Sequence, residues 1–278
     1  MTAGRLSQTL RGSLRATVKG VLRHAALGVG HALQRQPQTT PRILTYHGIC
    51  ATPPDEWSVT PAQLRRHARL LARSFCPVPL LDVVRWQRGE LELPPRAVAV
   101  TFDDGLRDVL TAALPILAEA GVPATAFIAP GLVSGQPPHP SYHPTRPFLS
   151  WAELKQLARA GWTIGSHALT HPILAALPTE AAAFELSESR RILADACEVA
   201  VTLLAYPYGT RRTVSTRDYG LARAAGYEAA FLDMTAPLLP HRDPFALPRN
   251  KVLRTDSVAV VRASLEGRMD VWRLIEAR

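Results

Sequence analysis

The sequence predicts an α/β fold in which parallel strands alternate with helices, arranged as an open sheet or as a (β/α) barrel. From Ile43 onwards, short runs rich in β-branched or aromatic residues are each followed by a longer stretch with helical periodicity. Three segments share one form, in which a helix end leads through a glycine into a strand: AEAGVPATAF, ARAGWTIGS and ARAAGYEAAF. No second domain boundary is visible after Pro41, so residues 41–278 are expected to form a single domain.

Six short segments have the composition of buried strands, and helices are expected between them. The predicted strands are Ile43–Tyr46, Ala97–Phe102, Ala124–Ala129, Trp162–Gly165, Thr202–Ala205 and Glu228–Leu232, with Val78–Leu81 as a further candidate. The predicted helices are Pro61–Ser74, Leu106–Ala120, Ser150–Ala160, Thr179–Cys197, Thr216–Ala225 and Ser257–Glu266. Ser150 and Thr179 are expected N-caps, and Gly121, Gly161 and Gly226 are expected to end helices.

Composition indicates a globular protein with a basic surface. The 278 residues are 47% hydrophobic and carry a formal net charge of +9, with a pI near 10.1. Basic residues are spread along the chain without a dense run interleaved with aromatics, so no nucleic acid partner is expected. Cys50, Cys76 and Cys197 are far apart and odd in number, which predicts neither a disulfide framework nor a zinc knuckle.

Residues 1–40 are predicted to be a basic amphipathic extension and linker. An apolar residue recurs every fourth position at Leu10, Leu14, Val18 and Leu22, and each is followed by Arg or Lys, about 100° further round a helix. This pattern predicts a helix in peripheral contact with an anionic membrane. The alternatives are a helix packed on the protein's own domain and a transit-like leader. Because charges interrupt every turn, neither a secretory signal peptide nor a transmembrane span is expected, which favours a cytoplasmic location.

Clusters of chemically active residues follow four predicted strands, at the edge where active groups of such folds gather. They are His47 in TYHG, Asp103 and Asp104 in TFDDG, His167 and His171 in SHALTHP, and Tyr206 and Tyr208 in AYPYGT. Two imidazoles and one carboxylate form a three-ligand set that suits zinc or another divalent transition metal. The two histidines of SHALTHP are four residues apart, so a helical turn would place both rings on one face.

The adjacent aspartates are expected to have different roles. One binds the cation, whose charge offsets the repulsion between the pair, and the other takes a proton from water whose pKa the metal has lowered. His47 is a candidate proton donor or a core histidine, and Tyr206 and Tyr208 are site residues or packing residues. The loop Ser134–Pro147, dense in proline, aromatic residues and histidine, is either functional or a solvated excursion.

Together, TFDDG (Thr101–Gly105), SHALTHP (Ser166–Pro172) and AYPYG (Ala205–Gly209) resemble the motifs of the polysaccharide deacetylase family, the NodB-homology or carbohydrate esterase family 4 domain. The resemblance covers about Ile43 to Val252 and implies a distorted (β/α)7 TIM-like barrel. It implies a metal-dependent hydrolase that removes N-acetyl groups from amino sugars of a polysaccharide or lipid-linked glycan. The alternative is a catalytically silent carbohydrate-binding member of the same fold.

The resemblance also implies roles for individual residues. Asp103 is the expected catalytic base, and the expected ligands of the divalent metal, with zinc as the default, are Asp104, His167 and His171. The backbone N–H of Tyr208 is expected to help hold the oxyanion of the tetrahedral intermediate. The remaining positions of that loop are assigned to substrate binding: Tyr206, Pro207 and Gly209.

Two family features are absent from this sequence. Ala205 stands where many members have an arginine that steadies the base, and no Leu-x-His motif supplies a C-terminal general acid. The branch that acts on poly-β-1,6-N-acetylglucosamine is similar in both respects and carries its acid histidine in an N-terminal Tyr-His segment, which LTYHGI matches. His47 is therefore the expected general acid, with His241 as the other candidate, and Arg249 is expected to replace the missing arginine.

Overall fold

The structure is a computed structural model that describes residues 40–270, apart from residues 143 and 145, together with Gly28. Its strands are β1 (Arg42–Tyr46), β2 (Cys76–Pro77), β3 (Ala97–Phe102), β4 (Ala124–Ile128), β5 (Thr163–Ser166), β6 (Leu203–Ala205), β7 (Ala229–Phe231) and β8 (Asn250–Lys251). They form one parallel sheet in the order β7-β6-β5-β4-β3-β1-β8, and β2 pairs with β3 outside this order. Apart from Gly28 and Thr40, the predicted extension and its membrane contact lie outside the described residues.

One short segment links the two end strands of this curled sheet. The Leu247 N–H donates to Ala230 O at 3.0 Å, and the Leu232 N–H donates to Leu247 O at 2.8 Å, so Leu247 lies against β7. Three residues later the same segment becomes β8 and pairs with β1. Residues 247–251, here called the seam segment, therefore connect both ends of the strand order, and the predicted distorted (β/α)7 barrel is confirmed.

Helices cover the outside of the sheet between successive strands. They are α1 (Pro61–Ser74), α2 (Leu80–Gln87), α3 (Leu114–Glu119), α4 (Pro130–Val133), α5 (Trp151–Arg159), α6 (Thr179–Cys197), α7 (Thr216–Ala224) and α8 (Val258–Leu265). A π-helical turn at Val109–Ala113 precedes α3, so the helix predicted over Leu106–Ala120 begins in a wider turn. No helix in the described part of the chain is both long and apolar enough to cross a bilayer.

The strand candidate Val78–Leu81 is wrong. Val78 still donates its N–H to Val98 O at 2.9 Å, but Leu80 and Leu81 begin α2, a helix that the sequence analysis missed. Pro79 lies between the two, and its ring fixes a φ that suits the entry to a helix. A short apolar run has the same composition in a buried strand as on the buried face of a helix, so composition does not separate the two.

The predicted helix ends are confirmed at one N-cap and at three glycines, and one predicted N-cap is wrong. The Ser150 side chain accepts from the Glu153 N–H while Glu153 accepts from the Ser150 N–H, a reciprocal capping box that confirms the predicted N-cap. Thr179 is the first residue inside α6, so its predicted N-cap position is wrong, and Pro178, which lacks an N–H, stands before it. The helix-ending glycines that the sequence predicts all take positive φ: Gly121, Gly161 and Gly226.

A buried histidine on α1 makes the stability of this barrel dependent on pH. His67 is 1% exposed, and its Nδ1 lies 3.1 Å from the Tyr46 hydroxyl on β1. Burial, with a contribution from the charge of Arg66, lowers the pKa of His67 from 6.5 to about 4. Between these two values the unfolded chain binds a proton that the folded protein does not, so acidification through this window favours unfolding.

Replacing His67 with glutamine is expected to flatten this pH dependence, because glutamine still offers Tyr46 a polar partner and does not titrate. Between pH 7 and pH 5, the free energy of unfolding of the wild type should fall by about 2 kcal/mol more than that of His67→Gln. Urea unfolding at the two pH values measures both slopes. Equal slopes for the two proteins would show that His67 is not buried in its neutral form.

Candidate active site

The predicted site residues meet at the carboxyl edge of the barrel, where a cavity of about 250 Å³ opens. Six of them line it: His47, Asp103, Asp104, His167, His171 and Tyr208. The two aspartates follow β3, whose residues are all buried. Asp104 has a φ of 74° and Gly105 a φ of 73°, so the chain turns sharply through the left-handed region directly after Asp103. This turn lets two adjacent carboxylates take different partners.

Asp104, His167 and His171 converge on one point. Asp104 Oδ1 lies 3.5 Å from His167 Nε2 and 3.3 Å from His171 Nε2, and one ligand atom from each residue lies within 4.8 Å of the others. Burial raises the pKa of Asp104, but the close imidazoles of His167 and His171 outweigh burial and hold that pKa well below its usual range.

These three residues fit a divalent metal ion. Asp104 Oδ1 is buried and has no well-aligned hydrogen-bond partner among the described residues. His167 Nδ1 lies 2.7 Å from Ala205 O and therefore carries the proton, which leaves Nε2 with a lone pair directed at the centre. Two imidazole nitrogens and a carboxylate oxygen are the donor set of a three-ligand metal site with open positions.

The histidine pair lies on a loop, and the helical turn expected for it is wrong. SHALTHP leaves β5 as an irregular segment in which Ala168 has a φ of 57° and His171 a φ of 62°. Glu185 on α6 holds this loop, because its Oε2 accepts the N–H groups of Leu169 at 2.8 Å and Thr170 at 2.9 Å. The left-handed residues fold the loop back, and the two imidazole ring centroids still come within 4.9 Å.

Asp103 has a partner of its own, separate from the metal ligands. Arg249 on the seam segment donates from Nη1 to Asp103 Oδ1 and from Nη2 to Oδ2, each at 2.7 Å, and both residues are buried. Burial raises the pKa of Asp103, but the charge and the hydrogen bonds of Arg249 outweigh burial and the net shift is downward. Asp103 is therefore ionised, which is the form that can accept a proton.

Of the two candidate acid histidines, the structure brings only His47 to the cavity. His47 lies in the cavity wall with its ring centroid 6.1 Å from that of Trp57, and its Nδ1 is buried without a partner among the described residues. His241 lies elsewhere: its N–H donates to Gln87 O at 2.8 Å, and its ring packs beside Gly89.

The assignment of Tyr206 to substrate binding is wrong. Its side chain is 0% exposed, and its hydroxyl donates to Phe245 O at 3.1 Å in the interior. Pro207 is also buried, and Gly209 has a φ of 56° and a position at which a Cβ would lie 2.4 Å from Asp233 N. These two residues shape the loop without lining the cavity, and of this motif Tyr208 contributes to the wall.

Sequence reasoning missed an aromatic residue that packs against the candidate metal-ligand set. Tyr142, in the loop 134–147, stacks on His171 with ring centroids 3.9 Å apart, and it faces Asp104. The Tyr208 hydroxyl donates to Ser141 O at 2.6 Å, which ties this loop to the third motif. The composition of the loop had suggested a functional role, but no spacing distinguishes Tyr142 from its neighbours.

Comparisons with known proteins find relatives of this chain in sequence and in structure. A family profile described as polysaccharide deacetylase matches residues 90–230. A putative polysaccharide deacetylase, YxkH of Bacillus subtilis, is 28% identical over 159 residues, which are 56% of this chain and 52% of that protein. The chitooligosaccharide deacetylase of Rhizobium leguminosarum bv. trifolii is 34% identical over 108 residues, 38% of this chain and 44% of that protein. The chain thus spans about half the length of the curated relatives it matches.

Solved structures share the fold. The Streptococcus pyogenes deacetylase PplD, in complex with acetate, superposes with a TM-score of 0.71 at 21% identity, over 82% of this chain and 99% of that one. IcaB from Ammonifex degensii superposes with a TM-score of 0.72 at 19% identity, over 84% and 98% of the two chains. At these identities the likeness establishes the barrel, whereas the profile covers half of the sequence itself, and the chain therefore belongs to the polysaccharide deacetylase family.

Proposed function

We propose that this protein is a metal-dependent hydrolase that removes N-acetyl groups from amino sugars of a polysaccharide or lipid-linked glycan and releases acetate. The observation that carries the proposal is the division of labour between adjacent carboxylates: Asp104 points to two imidazoles and Asp103 to a buried guanidinium. A base beside a metal-ligand set in a cavity is suited to hydrolysis. The amino-sugar substrate is supported by the family and by the chitooligosaccharide deacetylase among the relatives.

Each residue has a distinct task in this proposal. Asp104, His167 and His171 would hold the divalent ion, with zinc as the first expectation; when bound, such an ion polarises a carbonyl and lowers the pKa of water. Asp103 accepts the proton of the attacking water, and Arg249 keeps it ionised and oriented. The Tyr208 N–H donates to the oxyanion. His47 gives a proton to the departing sugar amine, so that one water and one acetamide become acetate and a free amine.

Acetate release from a panel of N-acetylated glycans, with and without a chelator, tests this function. We expect release from at least one glycan, its loss after treatment with dipicolinate, and its recovery on adding zinc. Asp104→Asn serves as the matched control, because it removes the negative charge of one candidate metal ligand without changing the side-chain shape. Glycan binding without any acetate release would instead favour the alternative, a catalytically silent carbohydrate-binding protein of the same fold. Acetate release that survives chelation would contradict the proposed metal dependence.

Exchanging each candidate histidine separately is expected to identify the proton donor. His47→Gln should lower kcat by about a hundredfold or more, the usual contribution of a positioned acid, while His241→Gln should leave kcat unchanged. The two variants make the same chemical change inside and outside the cavity. Steady-state acetate release measures both, and a loss confined to His241→Gln would reverse the assignment.

We further propose that residues 1–40 are an extension of the domain 41–278 and place the protein peripherally on an anionic membrane in the cytoplasm. The support is the apolar stripe beside a cationic stripe in this segment. Full-length protein should co-sediment with vesicles containing anionic lipid, and protein starting near Pro41 should remain in the supernatant. Equal sedimentation of the two proteins would disprove the role of the extension.

A further inference from the structure

Three residues outside the proposed chemistry form a connected group in the wall of the same cavity. Lys251, on the seam segment, places its Nζ 2.5 Å from Asp233 Oδ2 and 4.5 Å from the centre of the Trp57 ring. Trp57 comes from the loop after β1, and its ring centroid lies 6.1 Å from that of His47. This group, here called the Trp57–Lys251–Asp233 cluster, therefore extends from the β7 end of the cavity to the candidate proton donor.

Asp233 keeps one acceptor atom without a donor. Its side chain is 4% exposed, and its Oδ1 is buried with no hydrogen-bond partner among the described residues. A buried carboxylate oxygen that lacks a donor is costly, so such an atom in a cavity wall is suited to receive one from a ligand. Lys251 pairs with Oδ2 and already balances the charge of the carboxylate. The remaining acceptor, Oδ1, therefore suits a neutral O–H donor better than a second cation.

The position of Asp233 is fixed from the backbone. Its N–H donates to Gly209 O at 2.9 Å, and the left-handed glycine there leaves room for this contact, because a Cβ on Gly209 would lie 2.4 Å from Asp233 N. The preceding residue, Leu232, accepts from Arg249 Nε at 3.2 Å. Asp233 is thus held between the Tyr208 loop and the arginine that pairs with Asp103, beside the reacting centre.

We infer that the Trp57–Lys251–Asp233 cluster is a hexosamine-binding subsite in which Asp233 Oδ1 accepts a hydrogen bond from a sugar hydroxyl and the Trp57 indole packs against the sugar ring. The inference rests on the proposed function and names how that site selects its substrate. A neutral hexosamine offers hydroxyl donors together with an apolar C–H face, which match a carboxylate acceptor and an aromatic ring. A sugar that carries a carboxylate or phosphate here would bring its charge against Oδ1 and is disfavoured.

Binding of oligosaccharides in the absence of turnover tests the subsite. The probes are the β-1,4- and β-1,6-linked pentamers of N-acetylglucosamine, titrated by calorimetry into chelator-treated protein. We expect Asp233→Asn, which exchanges a charged acceptor for a neutral one, and Trp57→Ala, which removes the ring that packs against the sugar, each to raise the Kd for the preferred pentamer about tenfold. Asp195→Asn, which removes an exposed carboxylate that pairs with Arg191 on α6, is the matched control and should leave the Kd unchanged.

The kinetic constants show whether Asp233 binds substrate or instead acts on catalysis through Arg249. For a binding residue, Asp233→Asn should raise KM about tenfold and leave kcat within about twofold of the wild type. A fall in kcat at unchanged Kd would overturn the subsite, since Asp233 would then act on the Arg249–Asp103 pair. Failure to bind either pentamer would overturn the hexosamine assignment. Binding that depends on Asp233 but is not followed by acetate release would refute the proposed function and leave the subsite intact.

Discussion

Changing Asp103 to asparagine is expected to lower kcat for acetate release by several hundredfold or more, while the metal content of the protein stays the same. Asparagine keeps the shape of the side chain but cannot accept a proton from water, and general base catalysis contributes about 10²–10⁴. Asp103 contacts Arg249 and is not one of the three converging ligands, so metal binding should survive the change. Steady-state kinetics and metal analysis of the purified variant measure the two effects.

Asp104→Asn is the control, because it makes the same substitution one residue further along the chain. It should lower metal occupancy and acetate release together, since Asp104 Oδ1 faces both imidazoles. Wild-type turnover in Asp103→Asn would remove Asp103 from the role of base. Loss of the metal from both variants would show that the two carboxylates share one task.

Replacing Arg249 with methionine is expected to lower the free energy of unfolding by about 3–5 kcal/mol, because it leaves a buried carboxylate without its cation. Arg249 is 0% and Asp103 2% exposed, so the guanidinium and the carboxylate pair away from bulk solvent. Burial would then raise the pKa of Asp103, and the fraction of ionised base at neutral pH would fall. The free energy of unfolding, measured with urea, and kcat for acetate release should therefore both be lower in this variant than in the wild type.

Arg42→Met distinguishes the loss of a buried ion pair from the loss of the base. Arg42 is 2% exposed and donates to both oxygens of Asp270 at 2.8 Å, and neither residue lines the cavity. This variant should lose stability but keep kcat in its folded fraction. In the Arg249→Met background, adding Asp103→Asn should recover part of the stability, since no charge is then left unpaired. An Arg249→Met protein as stable and active as the wild type would show that the Arg249–Asp103 ion pair contributes neither to stability nor to activity.

Much of the barrel could be read from the sequence because parallel strands covered on both faces appear as continuous apolar runs. The run Ala97–Phe102 matches β3 residue for residue, and Pro61–Ser74 matches α1, where Thr60 and Gln63 form a capping box. The strand predicted at Val78–Leu81 is wrong because this run is too short to show a period. Three apolar residues carry no period, and the proline among them, Pro79, decides where the strand stops and the helix begins.

The site residues that lie within sequence motifs could be predicted. The residues that only the fold brings together could not. The candidate metal-ligand set comes from the motifs at the ends of β3 and β5, whose side chains the structure brings together, and Arg249 lies beside Asp103 as the resemblance implied. Tyr206 failed because the direction of a side chain after a strand depends on backbone angles that a motif does not show. Trp57 and Lys251 are far apart in the chain, and only the parallel pairing of β1 with β8 brings them together.

The seam segment determines where the boundaries of a recombinant fragment of this protein should lie. The matched profile ends at residue 230, whereas residues 247–251 supply the counter-ion of Asp103, the amine that pairs with Asp233 and the strand that completes the barrel. A recombinant fragment trimmed to the matched region would keep the three candidate metal ligands and yet lack both His47 and Arg249. Cloning boundaries drawn from the profile alone would therefore remove the partner of Asp103, the candidate proton donor and strands β1 and β8 of the barrel, although all three candidate metal ligands would be retained.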